Sequence, residues 1–130
     1  MPDEKLLSYL SGFISENRFN KIKSIAANRT YHFTVAIEDV YQLHNTSAVI
    51  RTCDVFGIQE VNVIEARNRK KIDREIAMGA QKWVDILRHN DSSSCMAAVR
   101  NKGYRVVAAS PHEHDINLSQ LDISKKTCFF

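Results

Sequence analysis

Leu6, Leu7, Leu10, Phe13 and Ile14 recur at helical spacing near the start of the chain, with Gly12 inside the pattern, and predict a first helix. After Ser15 a second run sets Phe19, Ile22 and Ile25 on one side and Arg18, Lys21 and Arg29 mostly on others, as in an amphipathic helix. The period then changes. Phe33, Val35 and Ile37 among Thr34 and Ala36 read as a short strand. The polar stretch EDVYQLHNTS leads into a helix, for which Asn45, Thr46 and Ser47 are capping residue types and Gly57 is a stop. At about 100° per residue, Val49, Cys53 and Phe56 share one side of that helix, while Ser47, Arg51 and Asp54 share the opposite one. Arg51 therefore points away from the stripe that meets the sheet.

The alternation continues. Glu60 to Ile64, EVNVI, reads as a second strand close behind Gly57. Strand, helix, strand in this order implies a parallel pair with a right-handed crossover. The basic run ARNRKK reads as an exposed loop, Ile72 to Ala80 as a short helix, and Trp83 as core. Asp91 with Ser92 to Ser94 signals a helix start, Cys95, Met96, Ala98 and Val99 give its apolar side, and Gly103 ends it. Tyr104 to Ala109 is a third strand, expected beside Phe33–Ile37 and Val61–Ile64. Its end, AASPHEHD, is the kind of loop on which open α/β sheets bind ligands. His112, His114 and Asp115 in that loop have no matching ligands elsewhere and are read as loop residues, so no metal site is assigned. Thr127 to Phe130 begins a further strand. These elements predict an α/β fold, a parallel sheet with flanking helices, in a single domain over residues 1–130.

Composition adds bounds. A hydrophobic content of 44% over 130 residues is enough for one core. The net charge is only +3, but its distribution is uneven. Arg18, Lys21, Lys23 and Arg29 form one run without an acid, and Arg67, Arg69, Lys70, Lys71 and Arg74 form another opposed only by Asp73. Such clusters are either solvated faces or a phosphate footprint. Cys53, Cys95 and Cys128 are odd in number and far apart, which fits reduced core thiols. No apolar stretch approaches the roughly 20 residues of a membrane span, and the N-terminus lacks a basic flank and long hydrophobic core. A cytoplasmic protein is expected. GxGxxG and GKS/GKT loops are absent, so any cofactor binds by another device.

The string HNTSAVIRTCDVFG, with Glu38 and Val40 just before it, resembles the first signature motif of the SpoU/TrmH-like branch of the SPOUT RNA methyltransferases. That motif carries an asparagine, a small residue three places on and an arginine six places after the asparagine; here these are Asn45, Ala48 and Arg51. The resemblance continues in Gly79, Lys82, Trp83 and Val84 and in the basic lead-in over residues 1–30. It covers the chain from about Arg18 onward. It implies an α/β sheet whose C-terminal part forms a trefoil knot holding S-adenosylmethionine, with the active site between two subunits of a homodimer. It also implies 2′-O-ribose methylation of RNA, of the tRNA guanosine-18 type, with rRNA as the alternative target.

On this resemblance Arg51 activates the ribose hydroxyl, and Asn45 either positions that arginine or caps the helix. Arg18, Lys21, Lys23 and Arg29 meet the RNA, and Ala108, Ala109 and Ser110 form one wall of the cofactor site. The family's second motif, a Phe-Gly followed by a glutamate, and its third, with Ser-Leu-Asn, are not found in these residues. The expectation is therefore an N-terminal portion of such an enzyme, residues 31–130 being a partial methyltransferase domain without the knot region and inactive alone. The alternative is a non-catalytic α/β module that binds RNA or a protein partner.

Overall fold

A computed structural model describes residues 3–40, 43–65, 78–112 and 115–130. Two helices, α1 (Glu4–Ser11) and α2 (Glu16–Ala27), precede strand β1 (Phe33–Glu38); helix α3 (Leu43–Val55) then leads to β2 (Glu60–Ile64). Strand β3 (Asp85–His89), helix α4 (Ser92–Asn101), β4 (Arg105–Val107) and β5 (Thr127–Phe129) complete the order, with short 3₁₀ turns at Ala80–Lys82 and Leu118–Gln120. Helices α1, α2 and α4 begin where short polar side chains accept otherwise unpaired N–H groups. Asp3 accepts from Lys5 and Leu6, Ser15 from Arg18, and Asp91 from Ser94.

All five strands are parallel in the order β3-β2-β1-β5-β4. The expected adjacency of the first two strands holds, with Val35 opposite Val61 and Ile37 opposite Val63. Tyr104–Ala109 is not their neighbour. Strand β5 lies between β1 and β4, and β4 stops at Val107. The reason lies in burial: Thr127 and Cys128 are fully buried, whereas all three β4 residues are half-buried, as suits an edge. Strand β3, DILRH, forms the opposite edge.

The sheet is covered on both faces, which explains why every residue of β2 is buried. Ile50 and Cys53 of α3 pack with Val61, Val63, Ala80 and Val84 on one face. Cys95 and Val99 of α4 pack with Ala36, Ile64, Tyr104 and Cys128 on the other. Several polar side chains inside this sandwich are paired, although Glu60 Oε1 is buried without a hydrogen-bond partner. The Thr34 hydroxyl donates to the Glu60 carbonyl at 2.7 Å, the Asn62 amide donates to Thr34 at 3.1 Å, and Lys102 meets the Glu60 carboxylate at 2.6 Å. No described helix is long and apolar enough to cross a membrane.

Three expectations change. The first helix stops at Ser11, before Phe13 and Ile14. The inward stripe of α3 is Ser47, Ile50 and Cys53, with Ser47 fully buried and Phe56 75% exposed. The helix ends at Val55, which releases Phe56, and the small Ser47 side chain lets the helix approach the sheet. Trp83, expected in the core, is 44% exposed, because it caps a 3₁₀ turn at the sheet rim. The loop ARNRKK and nearly all of the helix expected over Ile72 to Ala80 lie outside the described residues; Gly79 and Ala80 form the turn before β3.

Candidate active site

The chain runs outward from β1 through β2 to β3, and α4 then leads to the far edge, where β4 and β5 are added on the other side of β1. This reversal makes the carboxyl ends of β1 and β5 the switch point of the sheet, the place where open α/β sheets bind ligands. Two features mark it. Asp39, directly after β1, adopts a left-handed backbone at φ 40° while its N–H donates to the Ile64 carbonyl at 2.9 Å. The Glu38 carboxylate at the same strand end accepts from the Ser92 hydroxyl at the start of α4.

Beside the switch point opens a cleft of about 520 Å³, lined by Val107 to Ser110, Asp115 to Leu118, Leu121, Phe129 and Phe130. The volume lies within the range of small-molecule sites, roughly 300–1,000 Å³. Ala108, Ala109 and Ser110 do sit on its wall. They lie just beyond the strand expected to contain the two alanines, in a segment fixed by two backbone bonds: Ala109 N–H donates to the Phe130 carbonyl and Phe130 N–H to the Val107 carbonyl, both at 2.8 Å. Phe129 is steadied by Phe33 at a ring separation of 5.9 Å. Sequence reading had no role for Ile116, Asn117, Leu118 and Leu121; three apolar residues at a loop's edge were the available signal. His112 and Asp115 sit on the same loop, Asp115 N–H donating to the His112 carbonyl at 3.2 Å, while His114 lies outside the described residues.

Helix α3 presents the second part of the site. It starts at Leu43, so Asn45 lies inside its first turn, not ahead of it as a cap. Arg51 is exposed, although Ser47, which the helical period grouped with it, is buried against the sheet. Asp54, three residues on, is the obvious local partner for Arg51, yet it pairs with Arg29, whose guanidinium also reaches the Asp54 carbonyl at 3.4 Å. Among the described residues no carboxylate pairs with Arg51. Asn45 and Arg51, six residues apart, diverge by about 120° around the helix, so the two side chains are not stacked on one face.

The basic run divides. Arg18, Lys21 and Lys23 are exposed on α2, Lys23 lying 5.6 Å from the Phe19 ring. Arg29 follows the helix and is drawn inward to Asp54, its side chain 11% exposed. The thiols lie in the core: burial pushes Cys53 and Cys95 up to about 11 and Cys128 up to about 12.

The sequence pattern of the SpoU rRNA Methylase family matches residues 32–130, a segment holding the cleft and Asn45 and Arg51 alike. The chain belongs to the SpoU rRNA Methylase family. Among similar curated proteins, the tRNA (guanosine(18)-2′-O)-methyltransferase of Borreliella burgdorferi is 30% identical over 97% of this chain and 58% of its own length. The Escherichia coli K12 protein of that name is 27% identical over 88% of this chain and 50% of its own. The crystal structure of the Aquifex aeolicus TrmH/SpoU tRNA modifying enzyme superposes with a TM-score of 0.78 at 28% identity, covering 88% of this chain and 58% of that one. The SpoU fold is therefore shared, and this chain spans about half the length of the relatives it matches.

Proposed function

We propose that this chain is part of a cytoplasmic RNA 2′-O-ribose methyltransferase of the tRNA guanosine-18 type that uses S-adenosylmethionine and works as a homodimer, this portion being inactive alone. The observation that carries the reading is Arg51: a guanidinium at the family's motif position, exposed, and paired with no carboxylate among the described residues, where Arg29 takes Asp54. A ribose 2′-hydroxyl is a weak acid and a poor nucleophile until its developing negative charge is stabilised. A guanidinium free of an acidic partner is suited to that task, since its charge is not already spent on a carboxylate.

The cleft fits the cofactor by chemistry. Phe129, Phe130, Leu118 and Leu121 offer apolar walls to an adenine ring, while the backbone of Ala108 to Ser110 and the side chains of Asp115 and Asn117 offer polar groups to a ribose and an amino acid. When bound there, the cofactor supplies the electrophilic methyl group. The chain's own residues orient the acceptor and exclude water.

Arg51 does not line the cleft of its own chain. Helix α3 covers the sheet face that carries Val61 and Val63, whereas Phe130 belongs to the cluster on the other face. A second copy laid against the outer side of α3, where Ala48, Arg51, Thr52 and Val55 are exposed, would bring an arginine to a cleft. Arg18, Lys21 and Lys23 then serve the RNA backbone, each contact adding salt-dependent affinity.

The test is methyl transfer by the intact enzyme from labelled S-adenosylmethionine to a tRNA transcript, beside the same transcript carrying 2′-deoxyguanosine at position 18 and an rRNA fragment. Transfer to the first alone supports the proposal. Preference for the rRNA moves the target, and binding without transfer to any of them returns the chain to a non-catalytic module.

A further inference from the structure

At the opposite end of the sheet from the cleft, the C-terminal parts of α2 and α3 enclose a groove of about 470 Å³. Its walls include Ile25, Asn28, Arg29, Phe56 and Trp83, and it continues into a recess of about 300 Å³ reaching Tyr31 and Gln59. Nothing in the methylation reading uses it. Three aromatic side chains stand open around it: Trp83 at 44%, Tyr31 at 53% and Phe56 at 75% exposure. Solvating that much ring surface is unfavourable unless something covers it.

The groove is preformed. Thr30 N–H donates to the Gly57 carbonyl at 2.8 Å and Gln59 N–H to the Thr30 carbonyl at 3.1 Å, which staples the end of α2 to the loop after α3. The Gln59 side chain donates to the Trp83 carbonyl at 2.9 Å and fixes the backbone that carries the indole. Arg29, clamped by Asp54, presents a planar guanidinium in the wall and contributes no net charge to it.

Charge decides what kind of molecule lies there. On α2, Ser24, Ile25 and Asn28 face the groove. Lys21 stands four residues before Ile25 and Arg18 three before that, a helix spacing that sets both near Ile25 and not across the helix from it as the apolar pattern suggested. Both are exposed. The groove is thus an aromatic recess at the end of a cationic track, a pairing that suits a strand with a charged backbone and flat apolar side groups. Base stacking on aromatic side chains combined with a basic path for the backbone is the general device for holding unpaired nucleic acid.

We infer that this groove takes an unpaired nucleobase of the substrate RNA, stacked on Trp83, while Arg18 and Lys21 hold the phosphates leading into it. The inference rests on the reading of the protein as an RNA enzyme and adds a second contact, remote from the methylation cleft. Its role is to recognise single-stranded or looped RNA.

Trp83 is the one tryptophan of the chain, so its emission reports on the groove alone. The chain is titrated with a single-stranded oligoadenylate and with a matched RNA duplex, and binding is followed both by Trp83 fluorescence and by anisotropy of 5′-labelled RNA. Expected is saturable quenching by the single strand, weaker with duplex and weakening as salt rises. Trp83→Ala should loosen the single strand by about five- to a hundredfold, as loss of one stacked base implies. Trp83→Phe should keep most of the affinity, and Lys21→Glu should weaken binding and flatten its salt dependence. Binding by anisotropy with unchanged emission, and Trp83→Ala binding as tightly as the parent, would overturn the inference and leave the RNA reading intact. An emission shift that depends only on protein concentration would assign the groove to a second copy. Absence of RNA binding by either signal would remove both readings.

Discussion

Arg51, Asp54 and Arg29 show how one pairing choice shapes a site. Local spacing offers Asp54 to Arg51, and only the fold reveals that Arg29, 25 residues away in sequence, takes it. In the intact enzyme, Arg51→Ala should abolish methyl transfer to tRNA while leaving S-adenosylmethionine binding nearly unchanged, since the arginine is assigned to the ribose hydroxyl and lies outside the cleft. Single-turnover assays with parallel calorimetric titration check this; a rate above about a tenth of the parent's, a loss below about 1.4 kcal/mol of barrier, returns Arg51 to a solvated surface role. Arg29 is a different case. Because the pair is largely withdrawn from water, Arg29→Ala and Asp54→Ala should each cost about 1–3 kcal/mol of stability. The double variant should cost less than the sum of the singles, a coupling that a urea-unfolding cycle measures directly. Additivity would mean the contact contributes nothing in solution.

Helix α3 and its exit are the element on which the groove side depends. Gly57 ends the helix at φ 72°, and a Cβ built there would stand 2.5 Å from the Asn28 carbonyl oxygen. Gly57→Ala therefore meets two obstacles, the left-handed backbone, costing about 1–3 kcal/mol, and a clash with rigid main chain. A lowered denaturation midpoint together with altered Trp83 emission is expected, because the same loop staples α2; a parental midpoint would show that the backbone relaxes freely. Gly57 as a stop was legible in the sequence, and so were β1, β2 and the capping of α4 by Asp91, because each is decided by neighbours within a few positions. The inward side of α3 was not. Periodicity favours the larger Phe56, but the helix ends before it and the sheet accepts Ser47 instead. Strand order was likewise hidden: nothing in Tyr104 to Ala109 says that Thr127–Phe129, arriving later in the chain, will take the place beside β1. The motif helix was legible through its residues and the cleft only through its first wall, since Ile116 to Leu121 come to it by tertiary folding.

The whole molecule is one sheet with two cores, and its three thiols sample both. Cys53 lies in the core under α3, and Cys95 and Cys128 lie in the core under α4. Strand β2 joins these layers, since Val61 and Val63 face the first and Ile64 the second. The two cores cannot separate without breaking the ladders that link β2 to β1 and β3, so the molecule should open as one unit. Burial raises the thiols from 9.0 to about 11 for Cys53 and Cys95 and about 12 for Cys128. The folded state therefore holds these protons after the unfolded chain has released them. The stabilisation is complete below pH 9 and is lost as pH climbs from 9 toward 11–12, by at most about 1.4 kcal/mol per pH unit for each thiol. Two outcomes follow for the native chain. The urea midpoint should fall with rising pH above about 9 more steeply than in a Cys53→Ala, Cys128→Ala double variant, in which Cys95 is the one raised thiol left. At pH 8, labelling by an aromatic disulfide reagent should be slow at all three cysteines and governed by a common opening free energy, read by mass spectrometry of the labelled peptides. Fast labelling of Cys53 with Cys95 and Cys128 protected would separate the α3 layer as its own unit, and the element that carries Arg51 would then move independently of the cleft.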